Sequence, residues 1–193
     1  MVTFAPDSSV QGYLSSTNAI LEDQELDRFI HDLIYGITRL DPTLIRPRWQ
    51  QEPANLPANG TTWCAFGITN KINDTNASEK FINTGTIITR NQEVDILISC
   101  YGTQAGQLDS VFREGISLAQ NREHMRLNNI GYVSLSDVRN TSLEINKQWN
   151  KRLDSVLRIR RNITRFYPIK DLLSAETNIN YDGYVDTVLV TNP

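Results

Sequence analysis

The hydrophobic positions of this chain change period several times, and each change marks an element. Leu26, Phe29, Ile30, Leu33, Ile34, Ile37 and Leu40 recur at helical spacing and form one stripe of an amphipathic helix. Asp23 stands where an N-cap belongs, and Glu25 and Asp27 suit the positive end of the helix dipole. Pro42 stops the run, because it drives the residue before it out of the α region. Leu44 to Gln51 reads as a short edge strand or an irregular crossing, since Pro47 has no N–H to give a ladder. A turn-rich loop with Pro53, Pro57 and Asn59-Gly60 follows, and Trp63 to Ile72 then reads as a buried strand.

Residues 73 to 83 are polar and Asn-rich, while Thr84 to Arg90 and Glu93 to Tyr101 read as two strands or one long bent one. In the latter, Val94, Ile96, Ile98 and Cys100 alternate with Glu93, Asp95, Leu97 and Ser99, the period of a pleated sheet. Gly102 breaks the strand and Thr103 is placed to cap a second helix, whose stripe is Ala105, Leu108, Val111, Phe112, Gly115, Ile116 and Ala119. A short extra helical turn is expected over 121 to 128 and a strand over Gly131 to Val138. Gln148 to Ile163 is rich in β-formers and reads as one long strand, with Leu153, Leu157, Ile159 and Ile163 on one face. Its other face carries Arg152, Asp154, Arg158, Arg160 and Asn162. Residues 1–22 and 171–193 read as extended arms, the second ending in an apolar Val185 to Val190 segment that can complete a sheet edge in the same molecule or a neighbour.

Length and charge sharpen this picture. The 193 residues suffice for one domain with a real core. No apolar run approaches a membrane span, and the N-terminus lacks the basic and apolar regions of a signal peptide, so cytosolic synthesis and no membrane are expected. The net charge of −3 hides an uneven distribution: residues 1–41 hold seven acids against two bases, and residues 146–170 hold eight bases against one acid. An acidic front and a basic back suit head-to-tail association between copies, a heterologous contact that closes into rings.

Catalytic groups are scarce. His31 and His124 lie among charged residues and read as solvated, and no zinc-protease, phosphate-loop or nucleophile-elbow motif occurs. Cys64 and Cys100 sit in apolar runs without metal-ligand spacing and read as buried thiols. No enzyme activity, cofactor or metal is expected. Asp23, Glu25, Asp27 and Asp32 fall where a helix start and its solvent face collect carboxylates. Arg158, Arg160, Arg161 and Arg165 are open to three readings: an intersubunit ion-pairing face, a solvated sheet face, or a phosphate-binding strip of a nucleic-acid module. A pI near 5.4 and the lack of interleaved aromatics weigh against the last. Trp63 is expected in the core, whereas Trp49 and Trp149, flanked by polar residues, suit an interface.

The succession of an acidic helix, the Arg46 to Pro53 crossing (RPRWQQEP), the Trp63 to Ile68 strand (WCAFGI), Tyr101-Gly102 running into the helix at Ala105, and the arginine strand resembles the neck or tail terminator proteins of tailed bacteriophages. That resemblance covers about residues 23–175. It implies a small sheet with helices on one face, and so an α+β fold: a single domain over 23–170, mostly antiparallel sheet, with two main helices packed on one face. It also implies a structural virion protein, a homohexameric ring that caps the tail tube and meets the head connector around a DNA channel. The implied partners are other copies, the tail tube protein, a head-completion or connector protein, the sheath in contractile tails, and genomic DNA passing through without sequence-specific binding. Assembly in the host cytoplasm is expected. A head-completion protein or a tail-tube protein is the nearest alternative.

Overall fold

The computed structural model describes residues 14–16, 20–52, 55–58, 60–82, 85–145, 148–168, 174–181 and 184–191. The rest of both expected arms lies outside the described residues. The elements in chain order are α1 (Asp23–Thr38), a 3-10 turn (Pro42–Leu44), β1 (Ile45–Pro47), β2 (Trp63–Asn73), β3 (Ser78–Ile82), β4 (Gly85–Tyr101), α2 (Ala105–Ser117) and α3 (Ala119–Leu127). They continue with β5 (Ile130–Leu135), β6 (Arg139–Asn140), β7 (Leu143–Ile145), β8 (Gln148–Asn150), β9 (Arg152–Tyr167), β10 (Ser174–Tyr181) and β11 (Tyr184–Thr191). The fold is α+β as expected, with a mostly antiparallel sheet. Its residues pack as two compact units, and β4 and β9 contribute to both.

The larger unit contains the helices and a sheet of order β1-β2-β4-β9-β5, with β6 beside β9. β1 runs parallel to β2 and forms an edge, where Pro47 is tolerated. β2 and β4 are antiparallel, with Cys64 opposite Cys100 and Phe66 opposite Ile98, and the register shifts between Ile68 and Asn70. The side-chain pairs Ser99–Asp154, Asp95–Arg158 and Gln92–Arg161 show that β4 and β9 are antiparallel too, because one number rises as the other falls.

Strand parity decides what is buried. Cys64, Phe66, Val94, Ile96, Ile98, Cys100, Leu157 and Ile159 join Leu26, Ile30, Leu33 and Ile34 of α1, Phe112 and Ile116 of α2 and Met125 of α3 in one core. Burying each large aliphatic or aromatic side chain contributes roughly 1.5–3 kcal/mol. α1 and α2 approach closely at Gly115, where a Cβ would collide with Cγ2 of Ile37. α1 and α3 meet through Phe29 and His124, whose rings stack with centroids 5.6 Å apart.

Several sequence expectations are corrected here. The N-cap of α1 is Glu22, and Asp23 lies inside the helix with φ 48°. Gln104, not Thr103, precedes α2, and Thr103 instead donates to the Gly60 carbonyl. The polar stretch 73–83 contains β3, which pairs with the start of β4 in the smaller unit. Polarity there reflects exposure of β3, including a Phe81 that is 76% exposed, so no burial pattern betrays it. The strand expected over 148–163 divides into β8, paired with β7, and β9, which continues to Tyr167. The extra helical turn is a nine-residue helix, α3. Val185 to Val190 pairs antiparallel with Ala175 to Asn180 of the same chain in a separate two-stranded sheet, rather than at the edge of the main one.

Candidate functional site

With helices on one side of the larger unit's sheet, the opposite parity forms a second face with its own chemistry. At one end, Trp63 of β2 and Tyr101 of β4 are register partners and stack with ring centroids 4.1 Å apart. Arg46 of β1 covers the Trp63 ring at 5.9 Å, and Arg152 of β9 covers Tyr101 at 5.6 Å. The four side chains make a cation–aromatic–aromatic–cation row across four strands.

One step along, Nη2 of Arg48 donates to Ser99 Oγ at 2.7 Å and to Tyr101 Oη at 2.8 Å. Ser99 Oγ donates to Asp154 Oδ1 at 2.6 Å, and Arg152 Nε donates to the same oxygen at 2.8 Å. Burial raises the Asp154 pKa, but the hydrogen bonds from Arg152, Ser99 and Thr141 outweigh it and hold the carboxyl below the ordinary aspartate range. Next, the Trp49 ring lies on Gly67, whose absent Cβ would sit 2.6 Å from ring carbon Cζ3. Trp49 takes a left-handed backbone, φ 57°, and stays 69% exposed. Beyond it, Arg158 grips Asp95 in a bidentate pair, 2.6 and 3.0 Å, with Glu93 3.7 Å from Nη1. The Arg158 bonds hold the Asp95 pKa down.

The four predicted arginines therefore serve different ends. Arg161 shares the parity of Leu157 and Ile159 and points to the helix side, where it is 5% exposed. There it donates to Gln92 Oε1 from Nε and Nη2, at 2.9 and 2.7 Å, and also to the Leu21 carbonyl and the Glu22 carboxylate. Lys71 holds the other Glu22 oxygen at 2.5 Å. Burial opposes ionisation of Glu22, but Lys71 and Arg161 more than compensate and lower its pKa. Arg158 is engaged with Asp95. Arg165 belongs to the smaller unit and donates to Ser16 Oγ at 3.3 Å. Arg160 is exposed and has no ion-pair partner among the described residues. Two cavities border it, of about 370 and 250 Å³. The first holds the carboxylates of Asp74 and Glu93, and in the second Arg126 is tied to Glu123 and Arg161 to Glu22, so neither is an open anion site.

Among the predicted acids, Asp23, Glu25 and Asp32 are exposed on α1. Asp27 borders a groove of about 200 Å³ between α1 and β1, and burial raises its pKa against a hydrogen bond from Gln50. Trp149 is 74% exposed on β8. Trp63 is half-buried on the second face rather than in the core, because its parity opposes that of Cys64 and Phe66. His31 is half-buried and bridges Asp32 and the Pro42 carbonyl, and His124 is exposed but stacked on Phe29. Cys64 and Cys100 are buried free thiols facing each other, and their mutual hydrogen bond together with burial pushes the Cys64 pKa well up. Among the described residues no three His, Cys, Asp or Glu side chains cluster as metal ligands, and no helix is long and apolar enough to cross a membrane.

Sequence reasoning missed Arg46, Arg48, Tyr101, Asp95 and Glu22. Parity of β4 and β9 carried the signal for Asp95, Tyr101 and Arg161, whereas the partners Arg48 and Glu22 come from outside those strands and only packing unites them.

A comparison with curated proteins finds no match. The phage neck terminator protein family matches residues 24–183, a span that runs from the second residue of α1 through β10. The match gives the chain a structural role in the phage neck. The chain belongs to the phage neck terminator protein family.

Proposed function

We propose that this phage neck protein closes into a ring on the end of the tail tube, halts tube growth there and presents a surface to the head connector, leaving a channel for DNA. The family match over residues 24–183 is the observation that carries this reading. The resemblance in Arg46 to Pro53 and Trp63 to Ile68 supports a sixfold ring, and the partners are the tube protein, the connector or head-completion protein and, where the tail is contractile, the sheath. The virion neck is its site of action, following assembly in the host cytoplasm. The acids Asp23, Glu25, Asp27 and Asp32, the cations Arg158, Arg160, Arg161 and Arg165, and Trp49 and Trp149 are its candidate contacts with other subunits or with the DNA channel. Engagement of Arg158 and Arg161 within the chain leaves Arg160 and Arg165 as the stronger candidates for an outside partner.

Incubating the purified protein with tail tubes and imaging the ends tests the reading. Single closed rings capping the tubes are expected. Long stacks of the protein alone would instead identify a tube protein, and rings bound only to the head connector would identify a head-completion protein.

A further inference from the structure

The second face of the sheet bears the composition of an interface centre: Trp49, Trp63 and Tyr101 interleaved with Arg46, Arg48 and Arg152. Trp49 is the most telling of them. A bulky residue in the left-handed region is strained, yet here Arg48 is anchored to Ser99 and Tyr101 and Gly67 is left bare, and the resulting pose presents an indole that is mostly exposed. Such an arrangement brings the isolated chain little, and suits a surface that is covered on assembly.

Charge selects the occupant. Among the described residues, Arg46, Arg48, Arg152, Arg158 and Arg160 share this face with Glu93, Asp95 and Asp154, and Asp74 lines the cavity beside Arg160. The outer side of α1, on the opposite side of the same unit, offers Asp23, Glu25 and Asp32, all exposed, against one exposed cation inside the helix, Arg28. Over the helix these acids span about 14 Å at 1.5 Å per residue, well within the roughly 26 Å between the Arg152 and Arg160 rows. Single-stranded nucleic acid is the poorer fit. The outer ring faces of Trp63 and Tyr101 are already covered by Arg46 and Arg152, leaving no free platform there for a base, and three carboxylates repel phosphate.

We infer that the face centred on Trp49 receives the acidic outer side of α1 from a second copy of this chain. The inference rests on the ring reading and gives it a contact. Glu25→Lys with Asp32→Lys makes one charge variant, and Arg46→Glu with Arg160→Glu makes the other. Thermal melts first establish that each is folded, and Trp49→Ala supplies an independent probe at the centre. Each charge variant alone is expected to associate roughly a hundredfold more weakly than the wild type, through like-charge juxtaposition. An equimolar mixture restores rings, because every reversed helix then meets a reversed face. Rings that survive either charge variant, or a mixture that stays dissociated, overturn this contact and leave the ring reading intact. A wild-type chain that forms no ring, alone or on tubes, removes both. Intact rings in Trp49→Ala with loss of single-stranded oligonucleotide binding would assign the face to nucleic acid and overturn the contact.

Discussion

Arg161 shows how strongly a single residue's role depends on parity. As a cation in a basic strand it reads as a binding residue, yet its position in register with Ile159 turns it inward, where four acceptor contacts replace water. Replacing it with alanine takes the donor from Gln92 Oε1, the Leu21 carbonyl and one Glu22 oxygen, the other keeping Lys71, and is expected to cost roughly 2–4 kcal/mol in urea unfolding. Arg160→Ala, one position along, should stay within about 0.5 kcal/mol. The depressed carboxyls give a pH signature of definite sign. Asp95 and Asp154, lowered from 3.8, and Glu22, lowered from 4.5, favour the folded state fully above those values, and their contribution is lost as pH falls through the lower folded values. Asp27, raised from 3.8, acts oppositely and regains stability as it protonates, but it is one group against five, since Asp41 and Glu123 are lowered as well. Unfolding titrations from pH 7 down to about 3 should therefore show falling stability at the acid end, with a shallower fall in Asp95→Asn. Gly67→Ala places a methyl group against the Trp49 ring and should cost about 1–3 kcal/mol while altering the tryptophan emission that Trp49→Phe removes.

Among the elements, legibility follows burial. The α1 and α2 stripes and the β4 alternation are plain in the sequence because each buries one face, and the sheet enforces that periodicity. β3 escaped because four of its five residues are exposed, and β10 because turn-rich polar sequence can pair just as well through its backbone. The division of β8 from β9 escaped for a different reason. Lys151 gives its carbonyl to the Gly102 N–H, a tertiary contact that a one-dimensional pattern does not record. Of the candidate site, the acids of α1 and the exposure of Trp49 were readable, while the Arg48–Ser99–Asp154 chain needed three strands to be aligned first. The crossing of α1 and α2 offers a test at this scale. Gly115→Val would drive a branched side chain into Ile37 and is expected to destabilise by about 1–3 kcal/mol in thermal or urea unfolding, with far-UV helicity retained before the transition.

For the whole molecule, the charge asymmetry of the sequence takes a more specific form once folded. Part of the attraction between the acidic N-terminal segment and the basic strand is satisfied inside the chain, by Glu22 with Arg161. The exposed remainder falls on two sides of the larger unit, with Asp23, Glu25 and Asp32 on one and Arg160, beside a half-buried Arg46, on the other. Association through those groups is screened by salt, so ring assembly should weaken between about 0.05 and 0.5 M NaCl, as light scattering would report. The ring proposed for this neck protein can be seen or missed on the tube end itself. In class-averaged electron micrographs of tail tubes incubated with the purified protein, one closed ring, sixfold in projection, is expected on tube ends, and tubes left bare beside a strictly monomeric protein would overturn the proposal.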